Sequence, residues 1–140
     1  MAIAALSLIG SMVALYLWFW KMGWIGQLAC GDGGCEIVQL SKYAEVAGVP
    51  VSFIGLIGYG VMLGVSLVGV QPAWRDRPGP THVLLAMSGV AVVYTAYLTY
   101  LEAVVINAWC RYCVVSSIVM LAIFVTAVAG TASLRRGRLT

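Results

Sequence analysis

Charged side chains are scarce in this sequence. Lys and Arg number eight and Asp and Glu five among 140 residues, so 9% of the chain is charged, against about 25% in a soluble domain. That scarcity excludes an ordinary water-soluble fold and a disordered segment, which both need solvating groups. It also excludes a nucleic-acid binder, because so few basic residues cannot follow a phosphate backbone. Internal repeats, low-complexity tracts and a second domain are missing too. What is present is apolar: 62% of the residues are hydrophobic and the mean hydropathy is +0.99. A spanning helix needs about 20 apolar residues, so the chain has room for four spans joined by short loops.

The apolar runs place these spans at about 3–20, 52–70, 83–106 and 113–130, and residues 1–140 read as one all-α integral membrane domain, a four-helix bundle. The first run carries no charge and closes in Tyr16, Trp18, Phe19 and Trp20, with Trp24 beyond Lys21. Such amphipathic rings favour the headgroup level. No basic residue precedes Lys21 and no small-residue cleavage site follows a short apolar core, so the run reads as a span and not as a cleaved signal. Gly55, Gly58, Gly60 and Gly64 in the second run are expected to allow close helix contact in lipid. The stretch from Gln71 to Thr81 holds three of the four prolines with Arg75, Asp76 and Arg77, a polar turn. His82, the single histidine, is a boundary residue at the start of the third span.

The few charges sort by side. Arg75, Arg77, Arg135, Arg136 and Arg138 face Asp76 on one side, whereas Lys21, Lys42 and Arg111 are outweighed by Asp32, Glu36, Glu45 and Glu102 on the other. Basic loops stay in the cytoplasm. Both termini are therefore expected to be cytoplasmic, in an inner or plasma membrane, with the 21–51 loop and the 107–112 turn outside. The three terminal arginines read as a topology signal and not as a nucleic-acid site.

All four cysteines fall on that outer side, where an oxidising compartment lets disulfides form and persist. Three pairings are possible; proximity favours Cys30–Cys35 and Cys110–Cys113. Both closed loops are so short that the bridges constrain the unfolded chain little, which suits thiol–disulfide exchange better than structural bracing. Asn107 is expected to cap the fourth helix, with Cys110 in its first turn and Cys113 one turn on, on the same face. The positive end of the helix and Arg111 favour a thiolate there. Asp32 is expected to cap a short helix with Cys35 in its first turn. A four-cysteine zinc site is the competing reading, but an oxidising compartment disfavours persistent thiolates, and no metal is expected.

The stretch Cys30-Gly-Asp-Gly-Gly-Cys35-Glu-Ile-Val38-Gln-Leu-Ser41-Lys-Tyr43, the run Gly48-Val-Pro-Val-Ser52-Phe-Ile-Gly55 leading to Tyr59, and Ala108-Trp109-Cys110-Arg111-Tyr112-Cys113 together resemble the bacterial homologues of vitamin K epoxide reductase. The resemblance implies a four-helix bundle with an external loop capping a quinone of the ubiquinone or menaquinone type. It implies a relay of electrons from a secreted thioredoxin-like (DsbA-like) protein, through both cysteine pairs, to the membrane quinone pool. By that analogy Cys30, Cys35, Cys110 and Cys113 are catalytic, and Cys113 meets the quinone. The family sometimes fuses its partner to the bundle; here nine residues follow Thr131, and the partner is expected to be separate. Ser116-Ser117 stand where vertebrate members have Thr-Tyr, so quinone reduction is expected in preference to epoxide reduction.

Ser41, Trp109 and Tyr97 are further candidates for quinone contact, Tyr97 as part of the Tyr94, Tyr97, Tyr100 stripe. Glu102 is a candidate proton relay, although an interfacial carboxylate near Arg111 is the preferred account. Two alternatives stand beside this reading. A DsbB-type quinone reductase places its tight pair in the first outer loop, unlike this chain, and a non-enzymatic scaffold would keep its disulfides permanently.

Overall fold

The computed structural model describes residues 2–26 and 34–139, so Cys30 and Asp32 lie outside the described residues. The helices are α1 (Ala2–Lys21), α2 (Gly34–Leu40), α3 (Val51–Val70), α4 (Gly79–Tyr100) and α5 (Arg111–Leu139). A 3-10 turn (Lys42–Ala44) and a two-stranded hairpin, β1 (Glu45–Val46) with β2 (Val49–Pro50), join α2 to α3, and a π-helical turn (Leu101–Ile106) extends α4. Four of these helices are long and apolar enough to cross a membrane. At about 1.5 Å per residue, 20 residues reach the ~30 Å of a hydrocarbon core. The chain is a four-helix membrane bundle.

Two spans exceed the lengths read from hydropathy. α4 begins at Gly79, four residues before the expected start, because Pro80 occupies its first turn, where a missing N–H costs nothing. His82 sits in that turn with its Nδ1 2.7 Å from the Pro78 carbonyl oxygen, a local boundary contact. α5 passes through Gly130 and continues to Leu139. Arg is a good helix former, and basic charge complements the negative end of a helix, so the arginines belong to a helix end and not to a tail.

α1 packs mainly on α3 and α5, and α4 mainly on α5. The central core joins Ala14, Tyr59, Met62, Leu84, Met120 and Ile123. Lipid supplies no hydrophobic drive between helices, so close packing and hydrogen bonds hold them. The closest approach is made at Gly10, where a Cβ would collide with the Tyr59 ring, whereas Gly58, Gly60 and Gly64 face open space. Tyr59 then donates its hydroxyl to the Ser116 carbonyl at 2.9 Å and lies 2.8 Å from Ser116 Oγ. One side chain thus ties α1, α3 and α5.

The hairpin turns at Ala47 (φ 53°) and Gly48 (φ 81°). Two left-handed residues in succession define the mirror-image turn that matches strand twist. Lys21, at the end of α1, donates to the Gln39 carbonyl at 2.7 Å and lies 3.3 Å from the Glu45 carboxylate. It fastens α2 and the hairpin over one end of the bundle.

Candidate functional site

The site forms where α4 ends and α5 begins. Asn107 does not cap α5 as expected. It takes a left-handed conformation (φ 54°, ψ 36°) and closes the π-helical turn, its N–H and that of Ala108 (3.2 Å) both donating to the Glu102 carbonyl. Asn favours helix starts and left-handed helix ends alike, and here the preceding helix claims it. Cys110 occupies the capping place instead. Its carbonyl accepts the Val114 N–H at 3.0 Å, and its sulfur accepts the Cys113 N–H at 3.4 Å. The positive end of α5 therefore points at this sulfur. A hydrogen bond from the Cys113 thiol holds the Cys110 thiol below the ordinary cysteine range, with burial working against it.

Cys35 sits in the first turn of α2, as expected, and is disulfide-bonded; Cys110 and Cys113 are free thiols. Cys35 and Cys110 are both 0% exposed and share a buried cluster with Leu17 and Val38. Gly34 makes that junction possible, because a Cβ there would stand 2.5 Å from the Trp109 carbonyl oxygen. The backbone of the loop helix thus lies directly on the approach to Cys110.

Cys113 is half-buried at the edge of the same cluster and opens onto a second space. It lines an apolar cavity of about 470 Å³ between the cap and the spans, within the ~300–1,000 Å³ usual for small-molecule pockets. Gln39, Ser41, Tyr59, Tyr94, Glu102 and Ser117 are among its other walls. Gln39 donates its side-chain amide to Cys113 Sγ at 3.4 Å. Ser41 is on the wall, yet its hydroxyl is spent on the Val38 carbonyl at 2.7 Å. Ser52, also on the wall, has a buried hydroxyl without a protein partner among the described residues.

The other candidates are placed differently. Tyr94 lines the cavity, while Tyr97 is 52% exposed and outside it. A step of three residues turns about 300° around a helix, so the stripe drifts off the inner face within one turn. Trp109 is 53% exposed and contributes its backbone, not its ring, to the junction. Glu102 is not an interfacial partner of Arg111. It is 4% exposed, its Oε2 accepts the Cys110 N–H at 3.4 Å, and among the described residues it forms no ion pair. The role of Gln39 had no sequence signal, because a lone polar residue between Val38 and Leu40 reads as surface.

A model of the Vitamin K epoxide reductase family matches residues 1–128. The chain belongs to that family. The match runs through both cysteine pairs and all the cavity walls named above. A curated relative, the thiol-disulfide oxidoreductase LTO1 of Arabidopsis thaliana, is 30% identical over 98 residues, covering 67% of this chain and 26% of that protein. This vitamin K epoxide reductase family chain therefore spans about a quarter of that relative's length.

Proposed function

We propose that the protein is a membrane thiol oxidoreductase that takes electrons from a thioredoxin-like protein and delivers them to a membrane quinone, supporting disulfide formation outside the cytoplasm. The observation that carries this reading is the division of labour at the start of α5. Cys110 is fully buried in the cluster that holds Cys35 and is not part of the cavity wall, whereas Cys113, at the edge of that cluster, lines the cavity. The name of the Arabidopsis relative supports thiol–disulfide chemistry.

The walls suit a quinone in their chemistry. They are mostly apolar, and the Ser52 hydroxyl, unsatisfied by protein, is suited to a carbonyl oxygen. A quinone bound there supplies a two-electron, two-proton acceptor. A partner dithiol attacks the disulfide that Cys35 carries, for which sequence proximity favours Cys30 as the other half, and leaves as a disulfide. The Cys35 thiolate then attacks Cys110 of an oxidised Cys110–Cys113 pair and Cys113 departs as a thiolate, which the Gln39 amide is placed to receive. Cys30 recovers Cys35, leaving Cys110 and Cys113 reduced and Cys30–Cys35 closed. Both electrons leave through Cys113, and Cys110–Cys113 re-forms. The distribution of arginines supports cytoplasmic termini and an external site.

The test is anaerobic. Purified protein mixed with a reduced thioredoxin-like protein and a quinone should lose quinone absorbance in step with partner oxidation. An intact protein that forms no quinol would overturn the reading.

A further inference from the structure

We propose that Glu102 carries the proton that leaves Cys110 when the Cys110–Cys113 disulfide forms, an inference that rests on the quinone-linked reading above. Closing the disulfide breaks two S–H bonds, makes one S–S bond and releases two electrons and two protons. The Cys113 proton has a direct exit, because Cys113 lines the cavity. Cys110 is 0% exposed and is not part of that wall, so its proton needs an intermediary.

Glu102 joins the two places. Its Oε2 holds the Cys110 N–H at 3.4 Å, and it lines the same cavity as Cys113. Its backbone is fixed as firmly, since its carbonyl takes the N–H groups of Asn107 and Ala108. An ionisable group inside a membrane bundle is costly and tends to be functional. π-Helical turns like the one that carries it also concentrate at functional sites. The proton passes from Cys110 Sγ to the Glu102 carboxylate and on to the acceptor oxygen in the cavity. Meanwhile the Cys110 sulfur bonds to Cys113 and the electron pair leaves through Cys113.

The first test uses the full chain in lipid nanodiscs without quinone. A redox-difference infrared spectrum should show a carboxyl C=O band that changes between dithiol and disulfide forms and shifts in deuterated water. The band should vanish in Glu102→Gln, which keeps an acceptor for the Cys110 N–H, and persist at a new position in Glu102→Asp. In the second test, single-turnover oxidation of the pre-reduced protein by menadione should be at least tenfold slower in Glu102→Gln and partly restored in Glu102→Asp. A wild-type spectrum without the band, or Glu102→Gln at the wild-type rate, overturns the relay. A wild-type protein that shows the band but does not reduce menadione supports proton transfer by Glu102 and counts against the quinone reading alone.

Discussion

The side-chain amide of Gln39 donates to the sulfur of Cys113 across 3.4 Å, joining the loop helix to the first turn of the last span. A neutral hydrogen bond contributes about 1 kcal/mol net, and this one strengthens when the sulfur is a thiolate. Gln39→Leu should therefore slow dithiol oxidation by quinone about fivefold, with little effect on folding. Stopped-flow single-turnover kinetics would check this.

Gly34→Ala should push α2 off the Trp109 carbonyl, because neither backbone can yield easily. Such overpacking costs ~1–3 kcal/mol. Turnover fed by a protein dithiol should fall several-fold, while turnover fed by dithiothreitol, small enough to reach Cys113 through the cavity it lines, should change little. Comparing the two donors on one preparation reads the difference.

With Cys30→Ser and Cys113→Ser combined, only Cys35 and Cys110 remain. Mild oxidation should join them, since both are fully buried members of one cluster, whereas Cys113 only packs against its edge and the Cys30→Ser, Cys110→Ser protein should form less of a Cys35–Cys113 bond. Peptide mapping under non-reducing conditions distinguishes the two. Equal yields would remove the structural basis for a relay through Cys110.

The lowered thiol of Cys110 has a pH signature. In a Cys30→Ser, Cys35→Ser background, thiolate ultraviolet absorbance should rise first at a pH below the ordinary cysteine range. Cys113→Ala, which removes the leading cause, should move that rise upward. A depressed folded value means that the thiolate contributes stability at high pH and loses it as pH falls through the folded value. The reduced protein should therefore melt at lower temperature on acidification across that window, and the Cys113→Ala protein less so.

Tyr59→Phe keeps the ring over Gly10 but leaves the Ser116 carbonyl and hydroxyl without their partner. The expected loss is ~1–2 kcal/mol, read as a lower melting temperature in detergent with the redox reactions intact at low temperature.

Hydropathy located the four spans because lipid imposes a length and a polarity on every helix that crosses it. That Cys110 and Cys113 lie together was legible because residues three apart share a helix face, whereas Cys30 lies outside the described residues. Boundaries were less so: Pro80 and Gly130 look like breakers in isolation, yet a first helical turn tolerates Pro, and Gly130 runs along Thr81 with ordinary van der Waals space. The inner polar contacts were hidden for a different reason. Whether Glu102 faces water, lipid or a sulfur depends on one π-helical turn, and whether Asn107 starts a helix or ends one depends on which neighbour closes first. Those are competitions between near-equal local states, decided by tertiary packing.

A sulfur that also serves as a helix cap cannot change partners without altering the helix. In the dithiol state Cys110 closes the first turn of α5 by accepting the Cys113 N–H. A bond from Cys110 to another sulfur on the cap side draws it away from that turn, and an uncapped helix start costs about 1 kcal/mol. The mixed disulfide carries that cost, and the recoil of the helix end shortens its life by favouring release of Cys110 to its own turn.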